Sequence, residues 1–484
     1  MHPIVYILIV LAAVVAALLT VIIIRTLSFK PKAQPKVDSE EVSFDGERAV
    51  RALGELVKCK TVSNSNPALE DDAEFDKLIA LLPELYPNVY KKCTLTTFPG
   101  RALLYKLDGK ESGEPSVFMA HYDVVPVSEV PGDWEKPPFS AIIEDGVMWG
   151  RGTLDTKATF SSALFALDHL LAEGFIPEHD VYLAFSGGEE VNGEGARNIV
   201  DHFEREGITP AMVLDEGGAV VENVFPGVKA PCALIGIAEK GLLNLEYKVR
   251  SSGGHASAPK PHTPVGRLSL ACARIEASPF PAHLTKPVKE MFDTLGRHSG
   301  FLYRMIFANL WAFGWVIDLI CKKGGGELNA LMRTTVAFTQ MEGSSAPNVI
   351  PPTARMVSNM RLNPCDTVDS AVDYLRGVIG DPEVELNVLD NNNPSRISDT
   401  STEGYRKLAS AIASTWRGSI VSPYLMMQCS DSRHWGRISD RVYRFSAMDL
   451  TSEERGTIHG NNERIRLEGL MRATEFYIRL MKKC

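Results

Sequence analysis

Between residues 116 and 218 short apolar runs alternate with amphipathic ones, and this alternation constrains the fold more than any other feature of the chain. SVFMAHYD (116–123), DVYLAFS (180–186) and AMVLDEGG (211–218) have the length and composition of buried strands. ATFSSALFALDHLLAEG (158–174) and EGARNIVDHFEREG (194–207) carry apolar residues at helical spacing and stop at glycine. Strand–helix–strand–helix–strand requires a parallel sheet with helices on its faces, an α/β fold.

That scheme gives the polar residues a place. His121 and Asp123 end the first strand, Glu189 and Glu190 follow the second, and Asp215 closes the third. Asp155 stands just before the first helix. In open α/β sheets the carboxyl edge of the strands is where ligands bind. Taken singly, each residue has a plainer reading. HYD can be a satisfied surface pair, Asp155 a helix cap, Glu-Glu a solvated loop, and His459 in IHGNNE a loop histidine. The convergence of His121, Asp123, Asp155, Glu189, Glu190 and Asp215 on that edge points to one site, and His459 is offered as a further ligand.

A histidine among carboxylates suits a hard or borderline divalent cation such as zinc, which accepts imidazole nitrogen and carboxylate oxygen. In HYD, residues i and i+2 share a face, so Asp123 can stand behind His121 and fix its tautomer. A carboxylate such as Asp155 can bridge two metals. If one of the paired glutamates binds metal, the other is free to act as general base on a nearby water. His255, in SSGGHASAP, can donate a hydrogen bond to a developing oxyanion.

The 484 residues are too many for one core, so more than one domain is expected. After Glu239, LLNLEYKVRS, TPVGRLSLACARIEA, PNVIPPTARMVSNMRL, DTVDSAVDYLRGVIG and VELNVLD read as an inserted α+β unit. The expected division is an anchor and linker over 1–43, catalytic domain over 44–239, inserted domain over 240–392, and catalytic domain again over 393–484. The net charge of −9 (51 basic minus 60 acidic residues), with no long basic run, excludes a nucleic-acid partner as the reading. The eight scattered cysteines, without a CxxC, predict mostly free thiols and no cysteine zinc site.

IVYILIVLAAVVAALLTVIII (4–24) is 21 residues without a charge, enough for one bilayer crossing. It is longer than a signal-peptide core and has no small-residue cleavage site after it, so an uncleaved single-pass anchor is expected. Arg25, Lys30, Lys32 and Lys36 follow the span, and only Met1, His2 and Pro3 precede it. The positive-inside bias then favours a cytoplasmic C-terminal side, although one span leaves the side open. PKAQPKVDSEEVS (31–43) reads as a Pro- and charge-rich linker, with the folded enzyme beginning near Phe44. A second apolar run, 301–321, contains Arg304, Asn309 and Asp318. Those groups are expensive in a bilayer, so a buried or substrate-facing helix is expected there.

MAHYDVVPV, WGRGTLDTK, SGGEEVNGEGA, VLDEGG, GGHASAP, PNVIPP and IHGNNE occur in the order found in metallopeptidase family 20, which this chain resembles from about residue 45 onward. It is most similar to the branch of carboxypeptidase S and the N-fatty-acyl-amino-acid hydrolases. The resemblance implies a di-zinc exopeptidase-like catalytic domain, with helices on both faces of a mostly parallel sheet, and an inserted ferredoxin-like lid or dimerisation domain.

It also implies two zinc ions per subunit. Asp155 would bridge them, His121 and Asp215 would complete one site, and Glu190 and His459 the other. Glu189 would be the base, Asp123 would orient His121, and His255 would stabilise the oxyanion, reaching a partner's site in dimeric members. Asn348 and Arg361 match substrate-contacting positions, Arg361 for a free carboxylate. The chain departs from the family pattern at Gly188, Ala158 and the start of CSDSRHW.

The expected activity is hydrolysis of an amide next to a free-carboxylate amino acid, in a short peptide or an N-acyl amino acid. A homodimer fits this reading. The rival readings are a non-catalytic metal- or peptide-binding protein on a degenerated peptidase fold, and a structural membrane adaptor.

Overall fold

The apolar runs form strands and the amphipathic runs helices in the computed structural model, which describes residues 3–128, 130–223 and 225–484. Met1 and His2 lie outside the described residues. Two compact units result: Lys32–Ile237 with Ser398–Tyr424 and Ser430–Cys484, and Met1–Pro31 with Ala238–Ile397 and Leu425–Cys429.

The first unit is built on an eight-stranded sheet: β1 (Thr94–Phe98), β2 (Ala102–Leu107), β3 (Glu111–His121), β4 (His179–Ser186), β5 (Met212–Val221), β6 (Cys232–Glu239), β7 (Ile420–Met426) and β8 (Val442–Leu450). The spatial order is β1-β2-β4-β3-β5-β8-β6-β7. β4, β3, β5 and β8 run parallel, while β1, β2 and β6 pair antiparallel at the flanks. The predicted parallel sheet is thus the centre of a mixed one.

Alternation along the strands explains the layers. On one face Val117, Met119, Tyr182, Ala184 and Val213 pack against Ile199, Val200 and Phe203 of helix Gly195–Arg205. Phe118, one residue out of phase, meets Tyr477 of helix Leu467–Met481 on the other face. Helix Lys157–Ala172 is buried along almost its whole length, including the charged Lys157 and Asp168, which are held by the Leu56 and Cys59 carbonyls and by Arg48, respectively. β3 starts earlier than its apolar run and ends at His121, so Asp123 lies beyond the strand, in the turn. β5 continues past the two glycines to Val221.

Residues 31–43 were expected to be a Pro- and charge-rich linker. Within the first unit, however, the stretch after Lys32 is pinned to its surroundings. Gln34 accepts from the Val421 amide, Lys36 O from Ser410, and Glu40 O from Arg479, while the Asp38 amide donates to Ser414. Backbone without helix or sheet must find partners somewhere, and here side chains supply them.

In the second unit, strands Thr335–Glu342, Thr353–Leu362, Gly241–Arg250 and Glu385–Asn392 form an antiparallel sheet in that order. Helices Pro264–Ala277 and Val368–Ile379 bury Leu268, Ala271, Leu375 and Ile379 in the core that this sheet shares with them. The βαββαβ order and strand arrangement are ferredoxin-like.

The apolar run 301–321 is not one buried helix. It forms two helices, Phe301–Ala308 and Leu310–Gly324, bent by 111° around Asn309. Only Phe307, Ala308, Ile317 and Cys321 of these helices are buried, while Phe301, Leu302, Trp311, Trp315, Leu319 and Ile320 are exposed. Asp318 is paired with Arg333 and Lys322, which removes the charge problem that composition alone posed. The N-terminal helix, Pro3–Ser28, is 26 residues long and belongs to the same unit. None of the eight cysteines is in a disulfide.

Candidate metal centre

The sharp turn after β4 presents the paired glutamates. Glu189–Val191 is a single 3-10 turn closed by Asn192 in the left-handed region, φ 56°. At Gly193 a Cβ would stand 2.7 Å from the Gly188 carbonyl oxygen, so the loop closes only with glycine there. Asp123 holds the turn from below. Its two carboxylate oxygens accept the Glu189 and Glu190 amides at 3.1 and 3.2 Å and the Ser63 hydroxyl at 2.7 Å. The same carboxylate lies 3.3 Å from His121 Nδ1, whose nearest acceptor is the Asp123 carbonyl at 3.0 Å. Asp123 therefore positions both the histidine and the glutamate pair.

Asp155 occupies the centre. One oxygen is 3.0 Å from His121 Nε2 and the other 3.0 Å from His459 Nε2. Glu190 lies 3.2 Å from His459. The loop carrying Asp155 hangs on Glu463, a residue that motif reading passed over although it lies four places after His459. This fully buried carboxylate accepts from the Gly152, Leu154 and Asp155 amides at 2.7–3.1 Å and pairs with Arg151 at 2.7 Å.

The structure differs from expectation at the end of the third strand. Asp215 accepts the Ser432 amide at 2.9 Å and, among the described residues, does not join the ligand atoms grouped around His121. Glu216, the next residue, stands 3.5 Å from His121 Nε2. A bulge accounts for the exchange. β8 residues Arg444 and Phe445 face Asp215 and Gly218, leaving Glu216 and Gly217 as extra residues that re-aim the side chains. Gly218 must be glycine, since a Cβ there would lie 1.8 Å from the Leu234 carbonyl oxygen. VLDEGG thus announced a bulge through its two glycines, but alternation alone could not say which acid faces inward.

Ligand atoms of His121, Glu189 and Glu216 lie within 4.8 Å of one another, and so do those of His121, Asp155 and Glu190. Burial tends to lower the pKa of His121, but Glu216, Asp123 and Asp155 outweigh it and hold the ring well above its ordinary range. Hydrogen bonds to Asp155 and Glu190 push His459 up to about 10. Burial, reinforced by neighbouring acids, raises Glu189, Glu190 and Glu216. Asp155 moves the other way, because the two imidazoles overcome its burial.

The donor set fits a cation. With Nδ1–H donating to the Asp123 carbonyl, which can only accept, a neutral His121 aims its Nε2 lone pair at the oxygens of Asp155 and Glu216. Acceptors facing acceptors need positive charge between them: without a metal the proton held by the raised pKa of His121 supplies it, and a bound cation would take that place. Glu190 Oε1 is likewise buried without a hydrogen-bond donor.

The remaining predicted residues are in the second unit. His255 and Asn348 are neighbours: the Ala256 amide donates to Asn348 O at 3.0 Å, and His255 pairs in register with Val349. His255 is exposed and bonded to Ser257 Oγ at 2.7 Å. Arg361, on strand Thr353–Leu362, points Nη1 at Cys429 Sγ, 3.4 Å away.

The chain is similar to known relatives and solved structures. N-fatty-acyl-amino acid synthase/hydrolase PM20D1 of Xenopus tropicalis is 34% identical over 479 residues, covering 96% of this chain and 92% of its own. Probable carboxypeptidase S-like 2 of Dictyostelium discoideum is 33% identical over 480 residues, with the same coverage of 96% and 92%. The M20 family metallo-carboxypeptidase Sso-CP2 of Sulfolobus solfataricus superposes with a TM-score of 0.66 at 18% identity, covering 90% of this chain and 98% of its own, which is a likeness of fold. Residues 117–483 match the model of peptidase family M20/M25/M40, and the chain is an enzyme of that family.

Proposed function

We propose that the protein is a membrane-anchored, two-zinc amidohydrolase that cleaves an amide next to a free-carboxylate amino acid. The observation carrying this reading is the His121 ring, whose Nε2 faces the carboxylates of Asp155 and Glu216 with its Nδ1 already committed to Asp123 O. Asp155 would bridge two ions, with His121 and Glu216 on one side and Glu190 and His459 on the other. Bound zinc supplies a Lewis acid and lowers the pKa of a water.

Glu189 is the base. Its backbone is fixed by Asp123, and burial, with Asp431, Glu190 and Asp123 and against the pull of His121, raises its pKa, the direction that favours a group taking up a proton. It accepts the proton of the attacking water and delivers it to the leaving nitrogen as the C–N bond breaks. The products are a carboxylic acid and an amine. His255, Asn348 and Arg361 belong to the substrate-contacting side of this reading.

The anchor is helix Pro3–Ser28, whose apolar side chains are exposed along the uncharged stretch. A homodimer belongs to the same reading, supported by exposed Val388 and Leu389 on the edge strand Glu385–Asn392. The relatives named above are a carboxypeptidase-like protein and an N-fatty-acyl-amino acid synthase/hydrolase, so these two substrate classes are the ones to compare. Purified full-length protein with zinc should hydrolyse dipeptides or N-acyl amino acids and lose most activity when the substrate's free carboxylate is amidated. Equal rates on the amidated substrates would overturn the assigned specificity.

A further inference from the structure

Helices Phe301–Ala308 and Leu310–Gly324 expose an apolar surface that the chemistry described so far does not use. Trp311, Trp315 and Leu319 recur every fourth residue and so share one side of their helix. Trp311 is 57% and Trp315 68% exposed. Phe301 and Leu302, at 56% and 63%, add to this surface from the first helix. Asp318, the one carboxylate in the pair, is held by Lys322 and Arg333. Two open tryptophans beside so much aliphatic surface are unusual for a face that stays in water.

The position of this surface identifies its partner. The end of the N-terminal apolar helix is bonded to the break between the two helices. Arg25 donates twice to the Ala308 carbonyl, at 3.1 and 3.0 Å. The fully buried Asn309 donates to the Ile22 carbonyl and to Thr26 Oγ1, each at 3.2 Å. One turn further on, the Arg297 guanidinium covers the Phe29 ring at 4.2 Å and bonds Lys30 O at 3.0 Å. The uncharged stretch ends at Ile24, so the helix pair is attached at the level where a crossing helix leaves the hydrocarbon. Tryptophan and tyrosine concentrate at that level, and helices with one apolar face lie flat there.

We propose that the helix pair Phe301–Ala308 and Leu310–Gly324 is a second membrane contact, lying in the headgroup–acyl boundary of the phospholipid bilayer that helix Pro3–Ser28 crosses. This rests on the anchor reading of that helix. The contact would fix the second unit against the membrane surface instead of leaving it on a swivel.

The test is quenching of tryptophan fluorescence by brominated phosphatidylcholine, with full-length protein reconstituted into vesicles. Helix Pro3–Ser28 contains no tryptophan, so lipid quenching reports on other segments. Part of the emission should be quenched, more by bromines near the headgroup than by bromines near the bilayer centre. W311F/W315F should lose at least half of the quenched component while keeping hydrolytic activity in detergent. Flotation with the vesicles and resistance to carbonate extraction read the anchor separately. A chain that floats and resists carbonate, yet shows no quenching dependent on Trp311 and Trp315, would overturn the proposal and leave the anchor standing. Stronger quenching by deep bromines would overturn the interfacial placement. Extraction by carbonate would remove the anchor reading, and the proposal with it.

Discussion

Glu216 stands 3.5 Å from the imidazole of His121, while the preceding acid on the same strand, Asp215, accepts the Ser432 amide at 2.9 Å. The two carboxylates are adjacent in sequence and chemically alike, but the bulge gives them different surroundings. Glu216→Gln should therefore lower the zinc content by about one ion per chain and reduce turnover by roughly 10²-fold or more. Asp215→Asn should keep both ions, with its cost appearing as lost stability. Zinc stoichiometry by plasma emission separates the two, and the reverse pattern would restore Asp215 as the ligand.

Asp123 accepts from three donors, the amides of Glu189 and Glu190 and the hydroxyl of Ser63. An asparagine there has one acceptor oxygen and directs an NH2 group at donors. Asp123→Asn should cost about 1–3 kcal/mol of stability for each donor left without a partner. It should also lower zinc affinity about 10–100-fold, because the turn carrying Glu189 and Glu190 loses its hold, while His121 keeps its bond to the Asp123 backbone carbonyl. Thermal unfolding and a competitive zinc chelator read these effects.

Glu463 is fully buried, paired with Arg151 and bonded to the amides that shape the Asp155 loop. Glu463→Ala leaves Arg151 buried and uncompensated, a loss of about 3–5 kcal/mol. The metal-free protein should show the same loss by chemical denaturation. A change below about 1 kcal/mol would mean that the loop is held by other contacts.

The central parallel strands were legible because each is an apolar run bounded by turn residues, and the edge at which the site assembles followed from them. The inward acid of β5 was not legible. A bulge shifts the alternation by residues that look like any other Asp-Glu-Gly-Gly, and only the close approach of Leu234 to Gly218 reveals it. Glu463 was missed for a related reason: its partners are backbone amides more than 300 residues away, and amides carry no sequence signature. The apolar run 301–321 was misread because composition records hydrophobicity and not direction, whereas the bend at Asn309 turns half of that surface outward. His121, Asp155 and Glu190 could be grouped because such residues near one sheet edge have few structural uses, whereas His459, in a distant loop, joined them only through the family resemblance.

His434 gives a pH test that does not involve the metal ligands. Burial, and then Arg433, Arg437 and Arg197, lower its pKa from 6.5 to about 4. In the unfolded chain it takes up a proton near pH 6.5, which the folded protein resists until about pH 4. Its contribution to stability is thus fully present above pH 6.5 and lost as the pH falls toward 4. His434→Gln should flatten the decline between pH 6.5 and 4 relative to wild type in urea denaturation. Parallel curves for the two proteins would contradict the assignment.

The central claim is that Glu189 moves the proton while its neighbours hold the metal. The direct measurement is turnover and zinc content of Glu189→Gln, taken on the same preparation. The account predicts unchanged zinc content with turnover reduced by about 10²–10⁴-fold, the range for a lost general base. Near-normal turnover with full zinc would contradict it.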